Sequence, residues 1–125
     1  MSHTFFILGG MLGTLAVAAR VFSSHVLKER QSAELVATFE VAARYHMYHS
    51  LALFGTAWTV DRWPGRLTAA AGCCFCTGTV VFSGSLYLLC LTDTRWLGAV
   101  TPLGGLALIA GWLCLVAAAW AGSRK

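Results

Sequence analysis

Charge is what this chain has least of. Only 11% of its 125 residues are Asp, Glu, Lys or Arg, and just five are acidic. A water-exposed domain needs roughly a quarter of its residues charged to cover its surface, so a soluble globular domain is excluded. Proline is nearly absent too. Pro64 sits in a Pro-Gly turn and Pro102 at the expected start of a helix, so long helices run uninterrupted between them. The cysteines, Cys73, Cys74, Cys76, Cys90 and Cys114, are odd in number and lie inside apolar segments, a poor disulfide framework. Cys73 and Cys76 form a lone C-x-x-C with no second pair and no βαβ context, and read as small apolar helix residues. There is no nucleophile elbow, no H-E-x-x-H motif and no carboxylate pair placed in an apolar segment, so the chain is not expected to be an enzyme. The net charge of +4 comes from nine basic residues scattered through loops and tail. They form no stripe and no nucleic-acid motif, and nucleic acid is not an expected partner; such charges ordinarily flank membrane spans.

What is present is hydrocarbon. Hydrophobic residues make up 58% of the chain and the mean hydropathy is +0.70. Four stretches, at about 4–22, 44–60, 67–91 and 102–120, approach or exceed the ~20 residues that cross ~30 Å of hydrocarbon. The expected fold is all-α: a single domain, 1–125, forming an integral membrane bundle of four transmembrane helices with an amphipathic extension before the second. No Lys or Arg precedes the first stretch, which therefore reads as a retained span rather than a secretion signal. Gly9 and Gly13 share a face there and allow close helix approach, and Arg20 can snorkel to the headgroups. Residues 23–31 read as a loop. Ser32 is a plausible N-cap, with Glu34 in the first turn. Beyond it Leu35, Val36, Phe39 and Ala43 form an apolar face, Glu34 and Glu40 a wet one, and Glu40 is spaced to pair with Arg44 one turn on. Gly72, Cys76, Thr77 and Gly84 make the third span suited to close contact. Thr101 and Pro102 read as N-cap and first helical residue of the fourth.

The organising stretch is Arg44-Tyr45-His46-Met47-Tyr48-His49, a polar and aromatic cluster at the entry of a span. Polar groups there are costly and are expected to face protein or water. Tyr45 and His49 share a helix face, as do His46 and His49; Tyr48 and His46 also fit an interfacial belt. Four crossings put the first and third loops on one side, gathering His25, Tyr45, His49, Ser83, Ser85, Tyr87, Thr101 and Gly104 into a candidate ligand-binding set. Free amides at 103–105 and the helix dipole would add a place for a hydrogen-bond-accepting group. The ligand expected is a lipid, quinone or small amphiphile; a bundle whose polar groups merely satisfy one another is the rival. A metal or haem held by His25, His46 and His49 is a second possibility, and a small oligomeric transporter a third, since four helices are too few to enclose a pathway. No cofactor is identifiable; membrane lipids and a second copy of the chain are the expected partners. Without Arg20 and Arg44, the Lys and Arg count is three on that side against four on the other, which tips both termini toward the cytoplasm.

Three motifs carry a family resemblance. Tyr45-His46-Met47-Tyr48-His49-Ser50-Leu51-Ala52-Leu53 is similar to the Y-x-x-[YF]-H-x-L-A-L segment of the YgdD/YwdK membrane family (DUF423, UPF0382). Gly78-Thr79-Val80-Val81-Phe82-Ser83-Gly84-Ser85-Leu86-Tyr87 resembles its G-T-x-x-F-S-G-S-L-Y motif, and Thr101-Pro102-Leu103-Gly104-Gly105, continuing to Ala110-Gly111-Trp112, its T-P-x-G-G…A-G-W motif. The resemblance implies a four-helix, multi-pass protein of the bacterial cytoplasmic (inner) membrane and brings no biochemical activity with it. One motif departs: Arg20-Val21-Phe22-Ser23-Ser24-His25 stands where the family has G-A-F-G-A-H, keeping Phe22 and His25 and losing both glycines.

Overall fold

A computed structural model describes residues 1–124; Lys125, the last residue of the basic tail, lies outside the described residues. The described residues form helices α1 (Ser2–Phe22), α2 (Lys28–Arg30), α3 (Ala33–Arg62), α4 (Arg66–Thr92) and α5 (Thr101–Ser123), and no strand. Neighbours in sequence are neighbours in space: α1 packs on α3, α3 on α4 and α4 on α5. The two inner helices are therefore α3 and α4, and α1 and α5 present broad faces outward. On α5 Leu106, Leu113 and Val116 are more than three-fifths exposed, as lipid-facing side chains are.

Three continuous helical runs, Ser2–Arg30, Arg66–Thr92 and Arg95–Ser123, are long and apolar enough to cross a membrane. Helix α3 has the length but not the composition. Its apolar interval is bounded by Arg44 and Asp61, and its interior carries His46, His49, Ser50, Thr56 and Thr59, all buried. These polar groups are shielded by the helices on either side, and most bond to their own backbone: Ser50 Oγ donates to the His46 carbonyl at 2.7 Å and Thr56 Oγ1 to that of Ala52 at 2.9 Å. An inner helix can afford what a lipid-facing one cannot.

The start of α3 follows expectation. Leu35 N–H donates to Ser32 Oγ at 3.3 Å, and Leu35 and Phe39 are buried against Leu27 and Cys90 in a small cluster separate from the main core. The main core gathers Phe5, Ala52, Leu53, Ala57, Ala71, Phe75 and Leu108.

Three expectations are corrected. Residues 23–31 are not a loop: α1 runs on through a widened π-helical turn at Ser23–Leu27 into α2. Ser24 Oγ donates to the carbonyls of Arg20 and Val21 there, the local back-bond that helix hydroxyls make. Glu40 does not pair with Arg44; its carboxylate accepts from Arg20 at 2.7 Å. Glu40 is on the side of α3 that meets α1, so the tertiary partner wins over the local one. Thr101 is not an N-cap. A 3-10 turn, Arg95–Ala99, feeds α5 directly, Thr101 is its first residue, and Thr101 Oγ1 bonds the Leu97 carbonyl at 3.2 Å. Leu103 N–H donates to the Val100 carbonyl, so that amide is not free for a ligand.

Two bonds set how α3 lies on α4. Ser83 Oγ donates to the Ala42 carbonyl at 2.8 Å and Cys90 Sγ to the Leu35 carbonyl at 3.2 Å. Replacing Ser83 by Ala is expected to lower stability by about 0.6 to 1.7 kcal/mol, the range for hydrogen bonds between membrane helices. Detergent-titrated unfolding in mixed micelles measures it, and no loss at all would mean the bond does not persist.

Candidate functional site

The antiparallel register carries the polar stretch of α3 past the middle of α4 and α5. Phe82 comes against Gly104, Leu108 against Gly78 and Phe75 against Gly111. In this packing His49 meets two aromatic rings: Phe75 at 5.6 Å and Trp112 at 6.1 Å between centroids. The same two rings pack edge-on to each other at 5.1 Å.

Hydrogen bonding fixes the state of His49. Its Nδ1 is 2.7 Å from the Tyr45 carbonyl. A carbonyl only accepts, so Nδ1 carries the proton and donates. Nε2 is then the lone pair, and Trp112 Nε1 donates to it at 3.2 Å. The imidazole is a neutral acceptor, held at both ends and buried. Trp112 lies eleven residues into α5, about 16 Å along the axis, where an indole N–H has no water and needs a protein partner.

Above this pair lies a groove of 470 Å³ lined by Tyr45, Tyr48, His49, Phe82, Gly105, Leu108, Ile109 and Trp112. No charged side chain lines it. Its walls are rings with polar tips, and Tyr45, Tyr48 and Trp112 are about half exposed. Tyr45 packs at a tilt against Phe82, 5.0 Å between centroids. Tyr45 follows Arg44 directly and His49 lies about 7.5 Å deeper, so the groove descends from the membrane boundary into hydrocarbon.

The candidate set of residues separates into three places. Tyr45 and His49 face the groove. Ser83, Ser85, Tyr87 and Thr101 tie helices together: Ser85 Oγ and Thr101 Oγ1 are 2.6 Å apart, and Tyr87 Oη lies 2.9 Å from His46 Nδ1. Gly104 belongs to the same group, since a Cβ there would run into the Phe82 backbone. His25 stands apart, exposed on the widened turn. The Arg20–Glu40 bond aligns α1 with α3, which puts His25 about 7.5 Å outward of that level and His49 about 13.5 Å inward. His25 and His49 are thus about 20 Å apart along the bundle, and His25, His46 and His49 do not form one site. Among the described residues no three His, Cys, Asp or Glu side chains come together as a metal would require.

Buried polar atoms remain inside. His46 Nε2 and Thr79 Oγ1 have no hydrogen-bond partner among the described residues. The register set by Ser83 and Cys90 places these two residues opposite each other on α3 and α4.

Sequence reasoning missed Trp112, Phe75, Phe82, Leu108 and Ile109 as parts of the groove and its floor. One signal was available: Trp58, Trp63, Trp96 and Trp120 fall near helix ends, where tryptophans anchor at headgroups, and Trp112 alone falls mid-span.

The family model described as "Protein of unknown function (DUF423)" matches residues 18–105. The chain is 40% identical over 116 residues to the UPF0382 membrane protein YwdK of Bacillus subtilis, covering 92% of this chain and 94% of that one. It is 41% identical over 118 residues to a UPF0382 membrane protein of Staphylococcus haemolyticus, with 90% and 91% covered. The UPF0382 inner membrane protein YgdD of Escherichia coli is 32% identical over 124 residues, with 99% and 95% covered. None of these names carries an enzymatic activity. No solved structure matches. The chain belongs to the DUF423 (UPF0382) family of membrane proteins.

Proposed function

We propose that the protein binds a neutral amphiphile, of the lipid or quinone class, in the groove above His49, and performs no chemistry on it. The observation that supports this is the groove's lining: apolar walls with phenol, imidazole and indole tips and no charge. Neutral rings suit a head that exchanges hydrogen bonds without bearing charge. Tyr45 and Tyr48, close to the boundary, can donate to a carbonyl or accept from a hydroxyl, and Leu108 and Ile109 continue the wall for an apolar tail. Both termini are assigned to the cytoplasm on the Lys and Arg balance, so the groove opens toward the opposite leaflet.

Native mass spectrometry of protein gently extracted from its own membrane, with metal analysis of the same sample, tests the reading. A discrete apolar adduct at one per chain is expected. His49→Ala removes the packed floor of the groove and takes the acceptor from the Trp112 indole, and retention should fall about tenfold through lost packing and a displaced wall. Tyr87→Phe, outside the groove, should leave retention unchanged. A bare chain, or an adduct indifferent to His49, overturns the proposal.

A further inference from the structure

On the other side of Tyr48 a second groove, of 330 Å³, runs between α1 and α3. Its floor is Ala16, Val17, Ala43 and Met47, and its outer rim is Arg20, Glu40 and Arg44. Past Arg20 and Glu40 it continues into a polar trough of 520 Å³ that adds Ser24, Lys28 and Gln31. The apolar half points into the bilayer and the cationic half out of it. Depth follows from α3 alone: Arg44 to Asp61 spans about 25 Å and Glu40 to Arg62 about 33 Å, bracketing the ~30 Å hydrocarbon core. Arg20 and Arg44 therefore stand at the level of lipid phosphates.

Charge at the mouth is unbalanced. Arg20, Lys28 and Arg44 face one carboxylate, Glu40, which is already bonded to Arg20. Arg44 is exposed and pairs with no carboxylate among the described residues. A guanidinium at the hydrocarbon edge is stabilised by an anion, and its planar fork matches a phosphodiester. A zwitterionic head brings its own cation to compete with the arginines, whereas an anionic phospholipid leaves its phosphate to them.

We infer that the α1–α3 groove holds one anionic phospholipid, its phosphate between Arg20 and Arg44 and an acyl chain along Ala16, Val17, Ala43 and Met47. The site is separate from the groove above His49, which has no charged lining.

The test uses the full chain, delipidated in detergent, with native mass spectrometry after adding phosphatidylglycerol, phosphatidylcholine of the same acyl chains, or inorganic phosphate. The expected result is one phosphatidylglycerol retained per chain in preference to phosphatidylcholine, with no retention of inorganic phosphate. Arg44→Gln should weaken phosphatidylglycerol retention about fivefold, the worth of one basic side chain at an anionic surface, and remove the preference. Arg95→Gln, a cation on the same side that pairs with Asp93 and Glu34, should change neither. Glu40→Gln removes the only acid at the mouth and should strengthen retention. His49→Ala should leave it intact, which separates this site from the neutral groove. Equal retention of both lipids, indifference to Arg44, or retention of inorganic phosphate alone would each overturn the inference.

Discussion

Gly104→Val is expected to leave little folded protein, the largest effect of any single glycine substitution in the bundle interior. A Cβ at Gly104 would run into the backbone nitrogen of Phe82, and would come within 2.7 Å of its Cα and 2.8 Å of its Cβ. Backbone cannot rotate aside as a side-chain tip can, so α4 and α5 would have to separate. Lipid offers no hydrophobic gain to compensate, because membrane helices associate through packing and hydrogen bonds. Overpacking commonly costs about 1–3 kcal/mol; a branched residue against backbone belongs at or above the upper end. Two internal controls make the prediction specific. A Cβ at Gly105 would meet only the Phe82 ring at 3.7 Å, and one at Gly84 would meet nothing within 4 Å. Gly84→Ala should stabilise by up to about 1 kcal/mol through helix propensity, and Gly105→Ala should be near neutral. Detergent-titrated unfolding of the three variants orders them. If Gly104→Val unfolds at the same midpoint as Gly84→Ala, the close approach of α4 and α5 is wrong.

The same comparison shows what the sequence could and could not reveal. The long helices and the amphipathic entry to α3 are written in composition and periodicity, and Ser32 caps α3 as its residue type suggests. What depends on inter-helix register is not local and was not legible. Glu40 and Arg44 have the spacing of a helix pair, yet Glu40 bonds Arg20 because α1 lies on that face. Ser83 stands in the candidate ligand-binding set by its residue type and instead bonds across to Ala42. His25 and His49 share a side of the membrane by connectivity but are separated along the bundle, since α1 continues helically where a loop would have folded back. The groove was half visible. Tyr45 and His49 announced it on α3, while Trp112, Phe75 and Phe82 come from two other helices and converge only once Gly104 and Gly111 let those helices close.

Phe75→Ala tests whether the floor of the site is a packed unit. The ring is fully buried, edge-on to Trp112, against His49 and directly over Gly111, whose missing Cβ would sit 2.6 Å from the ring. In a water-soluble core such a truncation costs about 3–5 kcal/mol, combining lost transfer energy with the cavity left behind. In a bilayer the unfolded reference is helices in lipid, as apolar as the core, so most of the transfer part cancels and dispersion and cavity remain. The expected loss is therefore smaller, roughly 1–3 kcal/mol, and below that of Gly104→Val, the reverse of the order in a soluble protein. The cavity also has a defined filler. Gly111→Ala alone forces its methyl into the Phe75 ring and should destabilise; with Phe75→Ala that methyl enters vacated space. The double variant should be more stable than the sum of the two losses predicts, by about 0.5–3 kcal/mol of coupling. Strict additivity would mean that Phe75 and Gly111 do not touch, and the wall beneath His49 would have to be built by other residues.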